Sequence, residues 1–124
     1  MPLVRITLPR PHPPEYLRDL SEAIHQALVT QANVPADDKF HVIEVAHMVA
    51  HPSYGGVQRS ENVVFIQITL NAGRTVEIKK ALYADIVRRL QAAVDIRPDD
   101  VLISLVEVTK ENWSFGNGIA TYAG

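Results

Sequence analysis

Apolar and polar positions follow two different periods along the chain, and the changes of period predict its elements. Four stretches rich in β-branched and apolar residues predict strands: Leu3–Leu8, Phe40–His47, Val63–Leu70 and Val101–Val108. Two stretches carry apolar residues at helical spacing and predict helices, Leu17 to Leu28 and Ile78 to Val94. Thr75 stands where an N-cap of the second helix belongs. The predicted order of elements is strand, helix, strand, and it occurs twice along the chain.

The chain repeats itself. Shifted by 62 residues, positions 4–46 match positions 66–108 without a gap and with nine identities. The identities fall on a strand, on the helical stripe and on an Asp-Asp turn, namely Asp37-Asp38 in one half and Asp99-Asp100 in the other. We therefore predict a single domain over residues 1–124, built from two β-α-β halves (about 2–47 and 63–108) and a C-terminal tail.

A helical connection between neighbouring strands implies parallel pairing with a right-handed crossover. Two such units predict an α/β fold with a four-stranded sheet and both helices on one face. The strands around 63–66 and 101–103 are apolar on both sides, which is typical of a sheet that is covered on both faces. Because no further helix is available, we expect Val64, Ile66, Ile103 or their neighbours to meet other subunits in a homo-oligomer.

Composition narrows the function classes. With 47% hydrophobic and 21% charged residues, the chain has the profile of a folded protein of 124 residues. A net charge of -2 does not favour nucleic acid as a partner. The absence of cysteine excludes disulfides, thiolate metal sites and cysteine nucleophiles, and it suits the cytoplasm. No apolar run approaches the roughly 18 residues of a membrane-spanning helix, so no membrane association is expected.

Pro2 is the most unusual candidate for chemistry. Removal of Met1, which a small second residue favours, would leave proline as the N-terminal residue. A terminal proline is a secondary amine with a reference pKa of about 7.7–8.0, which burial or neighbouring cations lower toward neutrality. Such a group is a base when neutral and an acid when protonated. If Met1 is retained, the Pro2 nitrogen is an amide and has no proton chemistry.

Three further segments, together with Pro2 and the repeat, carry a resemblance that covers nearly the whole chain: Val34–Phe40, Thr69–Thr75 and Asn112–Gly118. The chain resembles the tautomerase superfamily, and its length and Trp-Ser-Phe-Gly tail are closest to the malonate semialdehyde decarboxylase group. The resemblance implies a β-α-β fold, a homotrimer, catalysis by the N-terminal proline and no cofactor.

Two residues match functional positions of that group. Asp38 stands in the place of an aspartate that follows the Val-Pro turn, and the resemblance implies that it holds a water or the substrate carbonyl and tunes the Pro2 ammonium. The alternative is an ordinary turn carboxylate, since Asp100 occupies the same place in the second half. Arg74 matches an arginine that binds a substrate carboxylate, a role that suits a planar guanidinium. The alternative for Arg74 is a solvated side chain.

The remaining predicted substrate contacts also have structural alternatives. The tail aromatics resemble an apolar wall around the proline, or they are ordinary core or interface residues; they are Trp113, Phe115 and Tyr122. His25 lies near the position of a substrate-binding histidine of the related dehalogenases, or it is a packed helix residue. Asn71 is expected to donate a hydrogen bond to a substrate carbonyl.

The chain departs from its relatives at two places. The decarboxylase pattern has two arginines in the loop after the third strand, whereas residues 71–74 here read Asn-Ala-Gly-Arg. Decarboxylation therefore lacks one cation. Ser114 stands where the dehalogenases carry a glutamate, so dehalogenation is not expected.

These observations predict a cofactor-independent keto-enol tautomerase that acts on a small 2-oxo acid, with Pro2 as the acid-base group. Decarboxylation of a small 3-oxo acid is the enzymatic alternative. The alternative outside the enzymes is a non-catalytic oligomeric scaffold or ligand-binding module, above all if Met1 is retained. No metal site is expected, because His41, Glu44, His47 and His51 have poor ligand spacing.

Overall fold

In the computed structural model, which describes residues 1–122, one mixed sheet carries two helices on one face. The strands are β1 (Leu3–Leu8), β2 (His41–Val45), β3 (Val64–Asn71) and β4 (Val101–Val108), and the helices are α1 (Pro14–Ala32) and α2 (Val76–Val94). The strand order is β2-β1-β3-β4. Strands β1 and β2 are parallel, as are β3 and β4, while the two halves meet through the antiparallel pair β1–β3. The predicted fold is confirmed.

The repeat extends to the ends of the helices. Each helix ends on a left-handed residue, Asn33 with φ 56° after α1 and Asp95 with φ 54° after α2, and these are equivalent positions of the two halves. Asn and Asp tolerate this conformation better than other residues that have a side chain. At the start of α2 the Ile78 N–H donates to Thr75 Oγ1 at 3.2 Å, so the predicted cap is confirmed. Neither helix of residues 1–122 is long and apolar enough to cross a membrane.

The face of the sheet that meets the helices forms the core. Its fully buried side chains include Val4, Ile6 and Leu8 of β1 and Val64, Ile66, Ile68 and Leu70 of β3. Burying an aliphatic side chain of this size contributes about 1.5–3 kcal/mol. A slip of one residue would turn this whole set toward the open face, and the pattern therefore fixes the register.

The open face of the sheet carries other residues than the three predicted. Val64 and Ile66 are fully buried under the helices, and Ile103 pairs with Ile66 on the same face. The prediction is wrong for these three residues, because the apolar runs 63–66 and 101–103 do not by themselves reveal which alternate set points inward. Their neighbours Phe65 and Leu102 do lie on the open face, next to polar side chains of the same strands: Gln67, Thr69 and Ser104.

The strand directions bring four chain segments to one end of the sheet. Leu3 pairs with Thr69, so the start of β1 lies beside the end of β3. Val4 pairs with His41, which places the start of β2 there as well. Because β4 runs parallel to β3, the tail after Val108 leaves from the same end. Pro2, the turn before β2, the loop after β3 and the aromatic tail thus meet although they are far apart in sequence.

Candidate active site

A cavity of about 400 Å³ opens at this end of the sheet. Its lining residues come from the N-terminus, the turn before β2 and the tail: Met1, Pro2, Leu3, Asp38, Phe40, Trp113, Ser114 and Phe115. Four of the predicted site residues, Pro2, Asp38, Trp113 and Phe115, therefore share one cavity. Sequence reasoning did not single out Leu3 and Phe40 as site residues. The sequence could have indicated both residues by position, because Leu3 directly follows Pro2 and Phe40 lies two positions after Asp38.

Two other concave regions are lined differently. A groove of about 510 Å³ lies between the outer sides of α1 and α2, and its two arginines, Arg88 and Arg89, both bond to Asp85. A cavity of about 400 Å³ at the opposite end of the sheet contains the buried Asp100, whose carboxylate accepts from Ser60. The Pro2 cavity combines a terminal amine and a carboxylate with apolar walls, a combination that supports acid-base chemistry.

The start of the chain is held against Asp38. The Met1 ammonium nitrogen lies 3.4 Å from Asp38 Oδ2, and the Asp38 side chain is only 13% exposed. Pro2 is buried, and the Val4 N–H donates to the Phe40 carbonyl at 3.0 Å, which fixes the first residues to β2. An amine at this end of the chain is therefore placed beside a carboxylate.

His25 lies under the turn that presents Asp38, outside the cavity lining. It is 3% exposed, because it belongs to the buried side of α1 next to Ile24. Its Nε2–H donates to the Ala36 carbonyl at 2.8 Å, and the Asp38 N–H closes the turn on the Pro35 carbonyl at 3.0 Å. The structure thus gives His25 a contact that holds the turn, while its contact with substrate stays a prediction.

A second histidine packs beside His25. The ring centroids of His25 and His41 are 6.0 Å apart, and His41 Nδ1 lies 2.7 Å from Ser21 Oγ. Burial, with a smaller contribution from the Lys39 charge, lowers the pKa of His41 to about 4. His41 is therefore neutral at neutral pH.

The tail forms a ladder of aromatic rings beside the cavity. Trp113 and Phe115 stack at 5.4 Å between centroids, and Tyr122 meets Phe115 edge-on at 5.6 Å. Trp113 and Phe115 line the cavity, whereas Tyr122 lies outside its lining and supports Phe115. In the structure Tyr122 contacts Phe115, and its direct contact with substrate stays a prediction.

Asn71 contacts this wall and Arg74 contacts Asn71, and both residues lie outside the cavity lining. The Trp113 Nε1–H donates to Asn71 Oδ1 at 2.7 Å. The Arg74 guanidinium donates to the Ala32 carbonyl from Nε at 3.3 Å and from Nη2 at 2.9 Å, and to the Asn71 carbonyl from Nη1 at 3.1 Å. The side-chain oxygen of Asn71 therefore bonds to protein, while Arg74 keeps two of its five N–H groups free of these bonds.

An ion pair that the sequence did not reveal holds the same loop. Lys79 Nζ lies 2.7 Å from Glu107 Oε1. The Lys79 ammonium, with a further bond from the Gly73 N–H, lowers the pKa of Glu107 below its usual range. Lys79 is thus already paired, and it does not supply the second free cation of the decarboxylase pattern.

Comparison with known proteins places this geometry in a family. Two family models, both described as tautomerase enzyme, match residues 38–116 and 2–48. The probable tautomerase YusQ of Bacillus subtilis strain 168 is 41% identical over 123 residues, which cover 97% of each chain. The chain belongs to the tautomerase family and is an enzyme of that family.

Solved structures agree with the assignment. The FG41 malonate semialdehyde decarboxylase, inhibited by 3-bromopropiolate, has a TM-score of 0.86 and 35% identity over 97% of this chain and 93% of its own. A fused 4-OT, described as a symmetric trimer, has a TM-score of 0.78 at 24% identity over 98% of each chain. At this identity the comparison supports the shared fold only.

Proposed function

We propose that the protein is a cofactor-independent keto-enol tautomerase of small 2-oxo acids, with Pro2 as the acid-base group after removal of Met1. The observation that carries the proposal is the position of the chain start. The terminal amine of Met1 lies 3.4 Å from Asp38 in a cavity walled by Trp113 and Phe115, and Pro2 is buried at the same place. Loss of Met1 turns the Pro2 nitrogen into the amine of that cavity.

The proton transfer uses this one amine twice. In the enol-to-keto direction the neutral Pro2 nitrogen takes the proton of the enol hydroxyl, and the O–H electrons form the carbonyl. The Pro2 ammonium then gives a proton to C3 of the substrate, where a C–H bond forms from the electrons of the C=C bond. The amine is neutral again at the end, so no other reactant is consumed.

The surrounding residues stabilise the charges of this cycle. The Asp38 carboxylate faces the ammonium that exists between the two proton transfers. The aromatic wall excludes water, which strengthens each charge interaction in the cavity. Arg74, which bonds to Asn71 behind the wall residue Trp113, has two further N–H groups that we assign to the substrate carboxylate, since a guanidinium binds a carboxylate through paired donors.

Decarboxylation of a small 3-oxo acid is the second candidate, and one finding favours it. The decarboxylase named above is 35% identical and has the same fold over nearly its whole length. The loop after β3 opposes it, because Arg74 is the one arginine in residues 71–74.

A direct comparison of two substrates separates these candidates. The processed enzyme is given the enol form of a small 2-oxo acid and, separately, a small 3-oxo acid, and both reactions are followed by proton NMR. We expect a higher kcat/KM for ketonisation of the enol. Faster loss of carbon dioxide from the 3-oxo acid would make decarboxylation the function.

We also propose that the open face of the sheet is covered in a homotrimer. Phe65 and Leu102 lie on that face, and Val42 and Val106 remain more than a third exposed in the single chain. The fused 4-OT with the same fold is described as a trimer. Light scattering at low micromolar concentration is expected to give three times the chain mass, and a stable monomer would contradict the proposal.

A further inference from the structure

Asn71, the last residue of β3, accepts hydrogen bonds from Trp113 of the tail and from Arg74 of the loop after β3. Its side-chain oxygen accepts from Trp113 Nε1 at 2.7 Å, and its main-chain carbonyl accepts from Arg74 Nη1 at 3.1 Å. The indole N–H is a donor only, so the atom that faces it must be the amide oxygen. Asn71 is therefore bonded on one side to the cavity wall and on the other to a cation.

The position of the tail depends on the Trp113–Asn71 hydrogen bond, because the tail as far as residue 122 lacks the regular backbone bonds of a strand. After β4 the described tail contains one short 3-10 helix, Lys110–Asn112, and local turns, but no further strand. Phe115 and Tyr122 are 43% and 41% exposed, so burial holds them only in part. Trp113 stacks on Phe115 and Phe115 meets Tyr122, which makes Trp113 the inner end of the ladder. A hydrogen bond at that end orients the rings that follow.

The strand end to which Trp113 is tied is itself well fixed. Asn71 pairs with Val108 of β4, and the Ala72 N–H donates to the Val108 carbonyl at 2.8 Å. Arg74 then ties the same residue to the end of α1 through the Ala32 carbonyl. The Trp113 indole is thus connected to the sheet and to a helix through one residue, Asn71.

We propose that Asn71 is a positioning residue that sets the place of Trp113, and through it the shape of the substrate cavity. This role uses the side-chain oxygen of Asn71 and does not involve its amide nitrogen. The proposal rests on the proposed function only for its kinetic consequence, because the position of Trp113 exists without substrate. It predicts that the loss of the acceptor oxygen at position 71 displaces the wall, whereas the loss of the amide nitrogen alone has no such effect.

The single tryptophan of the chain makes this testable in the free enzyme. Asn71→Leu keeps much of the side-chain shape and removes the acceptor, whereas Asn71→Asp keeps an acceptor oxygen. We expect Asn71→Leu to shift the Trp113 emission maximum and to increase its quenching by acrylamide, while Asn71→Asp stays close to the wild type. Asn62→Leu, an exposed position, is the matched control and leaves Trp113 emission unchanged.

Kinetics and stability give independent readings. Asn71→Leu is expected to raise KM by several-fold with a smaller effect on kcat, since the proton transfer at Pro2 does not use Asn71.

A double-mutant cycle tests the bond through stability. We expect Asn71→Leu to lower the Tm of the wild type, and to lower the Tm of Trp113→Phe by less, because phenylalanine has no indole donor. Equal losses of Tm in both backgrounds, or unchanged Trp113 emission in Asn71→Leu, would overturn the proposal. If emission responds as expected but the wild type does not ketonise an enol, the positioning role stands and the proposed function fails.

Discussion

Pro2→Ala is expected to reduce ketonisation by roughly 10²-fold in kcat/KM, at the lower end of what a positioned acid-base group contributes. Alanine retains a terminal amine, but it is a primary one on a chain start that no longer has a ring to fix it. Because alanine is also small, Met1 removal should proceed as in the wild type, and intact mass is measured for both proteins. The rate is followed by the disappearance of the enol absorbance.

The control for this variant separates chemistry from folding. Pro2 is buried, so its replacement is also expected to cost roughly 1 kcal/mol of stability, a common value for a single substitution. Pro11→Ala makes the same exchange at an exposed position beyond the other end of β1. It should leave turnover unchanged. Unchanged turnover in Pro2→Ala would remove Pro2 from the mechanism.

Arg74→Ala is expected to raise KM by roughly 10- to 100-fold with less change in kcat, since hydrogen bonds to a charged group contribute about 1.5–3 kcal/mol. The mechanism assigns the two remaining N–H groups of Arg74 to the substrate carboxylate, which is bound in the ground state as well as in the transition state. The measurement is a full saturation curve with the enol of a small 2-oxo acid.

Arg74 has a structural role too, which the controls must separate. Its bonds to the Ala32 and Asn71 carbonyls tie α1 to the loop after β3. Arg74→Lys keeps the positive charge but lacks the planar guanidinium, so its KM should lie between that of the wild type and that of Arg74→Ala. Arg18→Ala removes an exposed arginine of α1 and should change neither parameter. If KM is the same for Arg74→Ala and the wild type, the carboxylate anchor lies elsewhere.

The sequence predicts the fold well because each signal is local and most of them occur in both halves. Helical stripes, the Thr75 cap and the two Asp-Asp turns are all defined within a few residues. Strand boundaries differ by one or two residues, since the pairing of β2 continues beyond its assigned ends through the bonds of Phe40 and Ala46 with β1. The facing of Val64 and Ile66 does not follow from the apolar start of β3 alone, but the polar positions Gln67 and Thr69 further along the strand indicate it.

The candidate site was predicted in part, and the limit was side-chain direction. Pro2, Asp38, Trp113 and Phe115 share a cavity because the strand order brings their segments together. The motif that marks Asn71 and Arg74 gives their place in the loop but not the partners of their polar atoms. Those partners, Trp113 and the Ala32 carbonyl, are about forty residues away in sequence and depend on tertiary packing.

The most direct test of the account compares the same sequence with and without Met1. Protein that retains the methionine and protein that has lost it are separated and identified by intact mass, and each is assayed for ketonisation of one enol. We expect activity to follow the fraction of chains that begin with Pro2, because we assign the proton transfer to a secondary amine beside Asp38. Equal activity in chains that retain Met1 would contradict the mechanism.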